Sequence, residues 1–134
     1  MQNYLRQENL KSSDEAWLVV DKDKWDDGQL TQLHTWSQKQ ENYGFALSNP
    51  SFEYWLLLHF EDGGGVRSSR NCNIRLQVHL RNYNKDIDKS KFTCERIRLA
   101  IRRARTRDNP PCDDWPRSFG STTVYKVVES ILEV

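Results

Sequence analysis

Two aspartates that could hold a metal ion follow an apolar run near the start of the chain. Ala16 to Val20 predicts a buried strand, and Asp21 and Asp23 come directly after it. Side chains two residues apart in an extended chain point to the same side. Such carboxylates could share one Mg²⁺, which proteins hold with one or two carboxylates together with waters and substrate phosphates. The alternative is a polar loop that only ends a strand.

A third acidic candidate, Glu53, lies in the stretch SNPSFEYWLLLHF at 48–60. Asn49 is a suitable helix cap and Pro50 suits the first helical position, so we expect a helix over 50–60. The helix is apolar on nearly every face, which predicts that it is buried. A buried carboxylate has to be paired, capped or coordinated.

Two interpretations of Glu53 are open. Its position in the first helical turn is favourable for an anion because the helix dipole is positive there. Alternatively, the helix N-terminus faces the same cleft as the two aspartates, and Ser48 and Asn49 supply further polar ligands. His59, in the same apolar helix, is predicted to be a hydrogen-bonded core residue rather than a catalytic base.

A cluster of arginines occupies residues 92–107, where the periodicity predicts a helix with an apolar stripe. Arg98, Arg102 and Arg105 share one stripe of this helix. Clustered arginine is typical of phosphate binding, so we expect these three side chains to contact nucleic acid. A solvated helix face is the alternative. The six arginines of the segment are Arg96, Arg98, Arg102, Arg103, Arg105 and Arg107.

Charge is distributed unevenly although the net charge is only +1. Residues 1–62 hold 11 acidic and 5 basic side chains, a net charge of −6, whereas residues 63–134 hold 8 and 15, a net charge of +7. Such asymmetry favours a polyanionic partner. It is equally compatible with two halves that neutralise each other within one fold.

The elements that must position these residues follow from apolar periodicity and caps. The order strand, helix, strand and then mostly helices predicts an α/β fold with a parallel sheet core, helical cover and a helix-rich C-terminal half. Residues 74–80 alternate like a strand, although a helix is also open there. The other expected elements are a strand at 16–20, a helix at 27–40 capped by Asp27, a strand at 43–48, and a helix at 121–134 capped by Ser121 or Thr122.

Length and composition exclude several classes of protein. A chain of 134 residues with 37% apolar and 29% charged residues fits one globular domain, 1–134. No apolar run reaches the roughly 18 residues of a membrane span, and the N-terminal residues resemble neither a signal nor a transit peptide. We therefore expect a cytoplasmic protein without a membrane partner. The three cysteines lack the spacing of a zinc site or a disulfide framework.

The motifs together resemble the RloB-like proteins. The resemblance rests on VVDKDKW at 19–25 and on FALSNPSFEYWLLLHF at 45–60, and it extends to YNK at 83–85, to AIRRA at 100–104 and to TTVYKVVESIL at 122–132. It thus covers nearly all of the chain from Ala16 onward. That family includes an abortive-infection protein of bacterial plasmids, and its members are commonly encoded beside an ATPase partner.

The resemblance implies a Toprim-like fold and a metal-dependent nuclease of bacterial anti-phage defence. It implies that Asp21 and Asp23 form the metal-binding D-x-D, that Glu53 lies in the neighbouring motif, and that Lys85 is a cation for the scissile phosphate. The implied cofactor is Mg²⁺ or Mn²⁺, and the implied partners are nucleic acid, either DNA or RNA, and an ATPase. The alternative is a non-catalytic subunit that binds nucleic acid or the ATPase.

One element of the family pattern is missing from this sequence. Members of the family usually begin with a strand that ends in an E-G-x-T-E-like motif, and nothing before Asp14 matches it. We therefore expect the chain to lack the first strand and its glutamate, and we assign neither Glu8 nor Glu15 to that role. The sheet edge exposed by the missing strand would be covered by a partner or by a second copy of the chain.

Overall fold

A three-stranded sheet forms the centre of the fold. The computed structural model describes residues 15–84 and 86–132. The strands are β1 (Ala16–Asp21), β2 (Tyr43–Asn49) and β3 (Ser121–Thr122), in the order β1-β2-β3. Strands β1 and β2 are parallel, whereas β3 is antiparallel to β2. The predicted α/β class is confirmed. We expected a parallel sheet, whereas the observed sheet is mixed.

Within the described residues, five α-helices pack around the sheet. They are α1 (Asp27–Ser37), α2 (Phe52–Leu57), α3 (Ser69–His79), α4 (Cys94–Arg107) and α5 (Val124–Leu132). Helix α1 joins the two parallel strands, which need such a crossover because a tight turn cannot connect them. Asp26 caps it, one residue before the expected Asp27. The Asp26 carboxylate accepts the N–H of Gln29 at 2.8 Å, and the Gln29 side chain accepts the N–H of Asp26 at 3.0 Å.

Alternating side chains of the strands supply apolar residues to two clusters, one on each face of the sheet. Leu18 and Leu47 belong to the cluster with α1, which also contains Trp36 and Trp115. Ala46 belongs to the other cluster, which is formed mainly by helices α2 to α5. The larger helical layer therefore lies on the face that also carries the side chain of Asp21, since Asp21 alternates with Val20.

Residues 74–80 are helical in the structure, so the strand-like alternation there was misleading. Cys72 and Leu76 of α3 are fully buried, and Leu80, which follows the helix, is 3% exposed. These positions repeat every four residues, as expected for one face of a helix. Ile74 and Val78, which completed the apparent alternation, are 56% and 72% exposed.

The C-terminal element begins later than expected, because a short strand precedes it. Ser121 and Thr122 pair with Asn49 and Ser48 of β2, and α5 begins at Val124. The Thr122 and Ser48 hydroxyl groups are hydrogen-bonded at 2.7 Å, and both residues are fully buried. Buried hydroxyl groups need such partners. The Thr122 hydroxyl also accepts the N–H of Val124 at 3.2 Å, so Thr122 both joins β3 to β2 and satisfies a donor at the start of α5, as expected of a cap. Within the described ranges, no helix has the length and apolar character needed to span a membrane.

Candidate functional site

The predicted acidic residues meet at the carboxyl ends of β1 and β2, and we call Asp21, Asp23 and Glu53 the acidic edge. Asp21 is the last residue of β1 and lies opposite Ser48 of β2. After β2 the chain turns through Pro50 and enters α2 at Phe52. Because parallel strands end at the same side of a sheet, the start of α2 is brought next to Asp21.

Asp21 caps α2 from a neighbouring strand. Its Oδ1 atom accepts the backbone N–H of Phe52 at 2.9 Å. Ser51 occupies the cap position of this helix but makes no side-chain capping hydrogen bond. The N-terminal N–H groups of a helix have no partner within the helix, so an external carboxylate satisfies one of them and is itself held in place.

Asp23 is placed at the acidic edge by a backbone conformation that was not predicted from the sequence. Strand β1 ends at Asp21, and residues Lys22–Lys24 form a 3-10 turn, so the alternation of an extended chain does not apply to Asp23. Its backbone N–H donates to the carbonyl oxygen of Pro50 at 3.1 Å. Its Oδ2 atom accepts a hydrogen bond from the hydroxyl group of Ser69 at the start of α3. Asp23 is therefore tied to two neighbouring segments.

The electrostatic environment shows that the three carboxylates are neighbours. The pKa of Asp21 is raised above its ordinary value of 3.8, first by partial burial and then by the negative charges of Glu53 and Asp23. The Phe52 N–H and Lys24 act in the opposite direction without reversing the shift. Burial and like charges both disfavour the ionised carboxyl group. The acidic edge thus holds more negative charge than its own cations offset.

Glu53 lies in the first turn of α2 and is half-buried. The pKa of Tyr83 is raised to about 12, first by burial and then by the negative charge of Glu53. Burial followed by the charge of Glu53 also raises the pKa of Cys72 to about 12. The position of Glu53 in the first helical turn is confirmed, and its charge acts on Asp21. Its role as a metal ligand stays a prediction.

Two residues of this site were missed by sequence reasoning, and both come from segments with weak signals. Tyr83 stands in the YNK stretch, where only Lys85 was singled out, and Lys85 lies outside the residues that the structure describes. Ser69 follows a glycine-rich loop and carries no motif. The YNK stretch could have indicated Tyr83, whereas the contact between Ser69 and Asp23 requires the packing of α3 to be known.

Ser48, Asn49 and His59 have structural partners. The hydroxyl group of Ser48 is engaged by Thr122, and the Asn49 side-chain N–H donates to the Pro116 carbonyl oxygen at 3.4 Å. His59 is buried, with Nδ1 at 3.0 Å from the carbonyl oxygen of Trp55, and burial lowers its pKa. The prediction that His59 is a hydrogen-bonded core residue is confirmed.

Glu15 belongs to another part of the molecule. Its Oε1 atom accepts a hydrogen bond from the Trp17 indole at 2.9 Å and another from the Ser130 hydroxyl group of α5. It lies before the first residue of β1, whereas Asp21 ends that strand. Glu8 lies outside the described residues.

The donor set suits a magnesium ion only in part. Among residues 15–84 and 86–132, no group of three or more His, Cys, Asp and Glu side chains is arranged to hold a metal ion. Mg²⁺ needs only one or two carboxylates when waters and substrate phosphates complete its coordination. The chemistry of Asp21, Glu53 and Asp23 meets that smaller requirement.

The six arginines of α4 separate into two groups. Arg96, Arg103 and Arg107 donate to the carbonyl oxygens of Lys91, Leu58 and Asp62, at 2.7 to 3.0 Å, and thereby join α4 to neighbouring segments. Arg98, Arg102 and Arg105 instead line a groove between α4 and α5, where Arg105 forms an ion pair with Glu129. The predicted stripe of three arginines is therefore present on one surface, apart from the three structural arginines.

These features define a small α/β domain with an acidic edge where two parallel strands end. The family model of RloB-like proteins matches residues 1–131, and the chain belongs to that family. No curated protein and no solved structure matches it.

Proposed function

We propose that this chain is a Mg²⁺-dependent nuclease domain of a bacterial anti-phage system and that the acidic edge is its active site. The observation that carries the proposal is the position of Asp21 at the end of β1, where the Phe52 N–H fixes its Oδ1 atom, and where burial and then the charges of Glu53 and Asp23 raise its pKa. Carboxylates that repel one another at a strand end are favourable ligands for a divalent cation, because the cation removes the repulsion. Membership of the RloB-like family supports this choice, and so does the parallel pairing of β1 with β2, which a Toprim-like core requires.

Each residue of the edge has a defined part in the proposed reaction. Asp21, Asp23 and Glu53 would hold the metal ion, and the N–H of Phe52 fixes the orientation of Asp21. Ser69 positions Asp23, and Tyr83 packs beside Glu53. When bound, Mg²⁺ would supply a Lewis acid for the phosphodiester group and favour ionisation of the attacking water. Lys85 is proposed to contact the scissile phosphate.

A second candidate function is a non-catalytic subunit that binds nucleic acid or an ATPase partner. The observation that favours it is the lack of a three-ligand metal cluster among the described residues. In that case the carboxylates of the acidic edge would serve only to cap α2 and to connect the 3-10 turn with α3.

Cleavage assays on single-stranded DNA, double-stranded DNA and RNA with Mg²⁺ or Mn²⁺ distinguish the two functions. We expect metal-dependent cleavage by the wild-type protein alone or with the proposed ATPase partner, and a loss of at least about 100-fold in Asp21→Ala and Asp23→Ala. Asp27→Ala is the matched control, since Asp27 is an exposed acidic residue of α1. Cleavage at the wild-type rate by both edge variants would reject the active-site assignment.

A further inference from the structure

The groove between α4 and α5 has two chemically distinct parts. It encloses about 680 Å³, and Ile97, Ile101 and Leu132 form an apolar floor, while Arg98, Arg102 and Arg105 stand beside it. We call these six residues the arginine groove. A concave surface with an apolar floor and mostly positive charge beside it has the chemistry of a binding surface.

The apolar part of this surface is accessible. Leu132 is 50% exposed, and Ile131, which precedes it in the last turn of α5, is 73% exposed. Exposed aliphatic side chains next to a groove favour binding when a partner removes them from water.

The charged part of the groove lacks compensation. Glu129 is the one acidic residue among the described lining residues, and it is paired with Arg105. Arg98 and Arg102 are exposed, and neither forms an ion pair with a described residue. Glu95 lines an adjoining depression with both of them but does not pair with either. Two positive charges of the groove therefore have no ion-pair partner among the described residues.

We infer that the arginine groove binds a helical segment of another protein that carries an apolar stripe flanked by acidic residues. The apolar side chains of such a helix would cover Ile97, Ile101 and Leu132, while its carboxylates would meet Arg98 and Arg102. This inference is independent of the chemistry at the acidic edge, since the groove residues belong to α4 and α5 alone.

Two other occupants fit the groove less well. A nucleic acid would satisfy the arginines but would place phosphates over an aliphatic floor, where burial of charge is costly. A second copy of the chain in a twofold contact would add a second set of the same arginines to the contact without a surplus of carboxylates, because each copy presents the same patch. The acidic amphipathic helix matches both the floor and the rim.

The test measures binding of a fluorescent peptide to the full-length chain by anisotropy. The probe is a helix-forming peptide of about 16 residues made of Ala, Leu and Glu, with Leu at a spacing of three and four. We expect saturable binding of this peptide and little binding of a peptide in which Lys replaces every Glu. Arg102→Glu should weaken binding about tenfold or more, because it places like charges together.

Lys39→Glu is the matched control, since it also replaces a positive side chain by a negative one. Lys39 is exposed, follows α1 and lies away from the groove. Leu132→Asp tests the floor and should also weaken binding; Leu132 is already half exposed, so the fold should tolerate the change. The wild-type protein and Lys39→Glu should bind the peptide equally well, whereas Arg102→Glu and Leu132→Asp should bind it more weakly.

Several outcomes would overturn the inference. They are equal binding of the acidic and basic peptides, unchanged binding by Arg102→Glu, or displacement of the acidic peptide by a tighter-binding oligonucleotide that contacts the same arginines. Tighter binding of a peptide with the sequence of residues 1–14 would assign the groove to the chain's own N-terminus. A dimer in sedimentation that Arg102→Glu or Leu132→Asp dissociates would assign it to a second copy.

Discussion

The acidic edge and the arginine groove are both concentrations of one sign of charge, but the fold treats them differently. Asp21 accepts a backbone N–H of α2, whereas Asp23 accepts the Ser69 hydroxyl of α3 and donates its own N–H to the Pro50 carbonyl oxygen. Arg98 and Arg102 are instead exposed beside an apolar floor and form no ion pair with a described residue. Charges that are held in place against their own repulsion suit a small ion, whereas free charges beside apolar side chains suit a macromolecular partner.

Ion pairs between the acidic and basic halves of the sequence show how far the two halves neutralise each other. If the acidic and basic halves neutralised each other, ion pairs would cross between them. Among the described residues, ion pairs between residues 15–62 and 63–132 are confined to Glu61, which meets Arg75 and His79. Neutralisation between the halves is therefore a local feature, and most of the positive charge of α4 is left for backbone contacts or for ligands.

The largest predicted effect separates the two regions by activity. Asp21→Ala should remove nucleic-acid cleavage while it leaves binding of the acidic peptide unchanged, because Asp21 contacts α2 and not the groove. Arg102→Glu should weaken binding of the acidic peptide and leave nucleic-acid cleavage unchanged. Cleavage rates and peptide affinities measured on both variants provide the comparison. If one substitution impaired both properties in a folded protein, the separation of the two regions would be wrong.

A smaller effect is expected from Ser69→Ala, which removes the hydroxyl group that donates to Asp23. Residues that orient a metal ligand typically change affinity or activity by about 10-fold to 100-fold when they are replaced. We expect a rise of roughly tenfold in the metal concentration needed for half-maximal cleavage. Ser90→Ala is the matched control, since the Ser90 hydroxyl donates to the exposed Asp88 at 2.5 Å. An equal response of both variants would show that Ser69 has no special part.

Much of the framework could be predicted from the sequence because local patterns determine it. The apolar runs at β1 and β2 and the helical periodicity of α4 are strong signals, and each element was expected close to its observed position. The mixed sheet could not be predicted, since β3 has only two residues, Ser121 and Thr122, whose hydroxyl groups equally suit a helix cap. Helix α3 was ambiguous because its buried and exposed apolar residues together imitate the alternation of a strand.

The site was predictable in its residue types but not in its construction. The sequence indicated Asp21, Asp23 and Glu53. The expected geometry of Asp23 was wrong because β1 ends at Asp21 and Lys22–Lys24 form a 3-10 turn. The contacts of Asp21 with the start of α2 and of Asp23 with Ser69 depend on how distant segments pack. In the same way, the sequence could not separate the arginines that join α4 to neighbouring backbone from those that line the groove.

The smallest predicted effect concerns stability and involves the acidic edge alone. The folded-state pKa of Asp21 lies above its ordinary value of 3.8, so ionisation costs the folded state more than the unfolded state. This cost develops as the pH rises through 3.8 and is complete above the raised pKa. Asn at this position still offers an oxygen atom to the Phe52 N–H but carries no charge.

Asp21→Asn should therefore unfold at a higher temperature than the wild-type protein at neutral pH, and the difference should shrink as the pH falls toward 3.8. Thermal unfolding followed by circular dichroism across this pH range measures the effect in the absence of divalent metal. Asp27→Asn serves as the control because Asp27 is largely exposed. A variant that is less stable than wild type at neutral pH would contradict the electrostatic description of Asp21.

Divalent metal binding at the acidic edge is tested most directly by NMR with Mn²⁺, whose unpaired electrons broaden the signals of nearby nuclei. We predict that millimolar or lower Mn²⁺ broadens the amide signals of Asp21, Asp23, Phe52, Glu53 and Ser69 before others, and that excess Mg²⁺ reverses the broadening. In Asp21→Ala this selective effect should be lost. Uniform or absent broadening of these signals in the wild-type protein would contradict a metal site at the acidic edge.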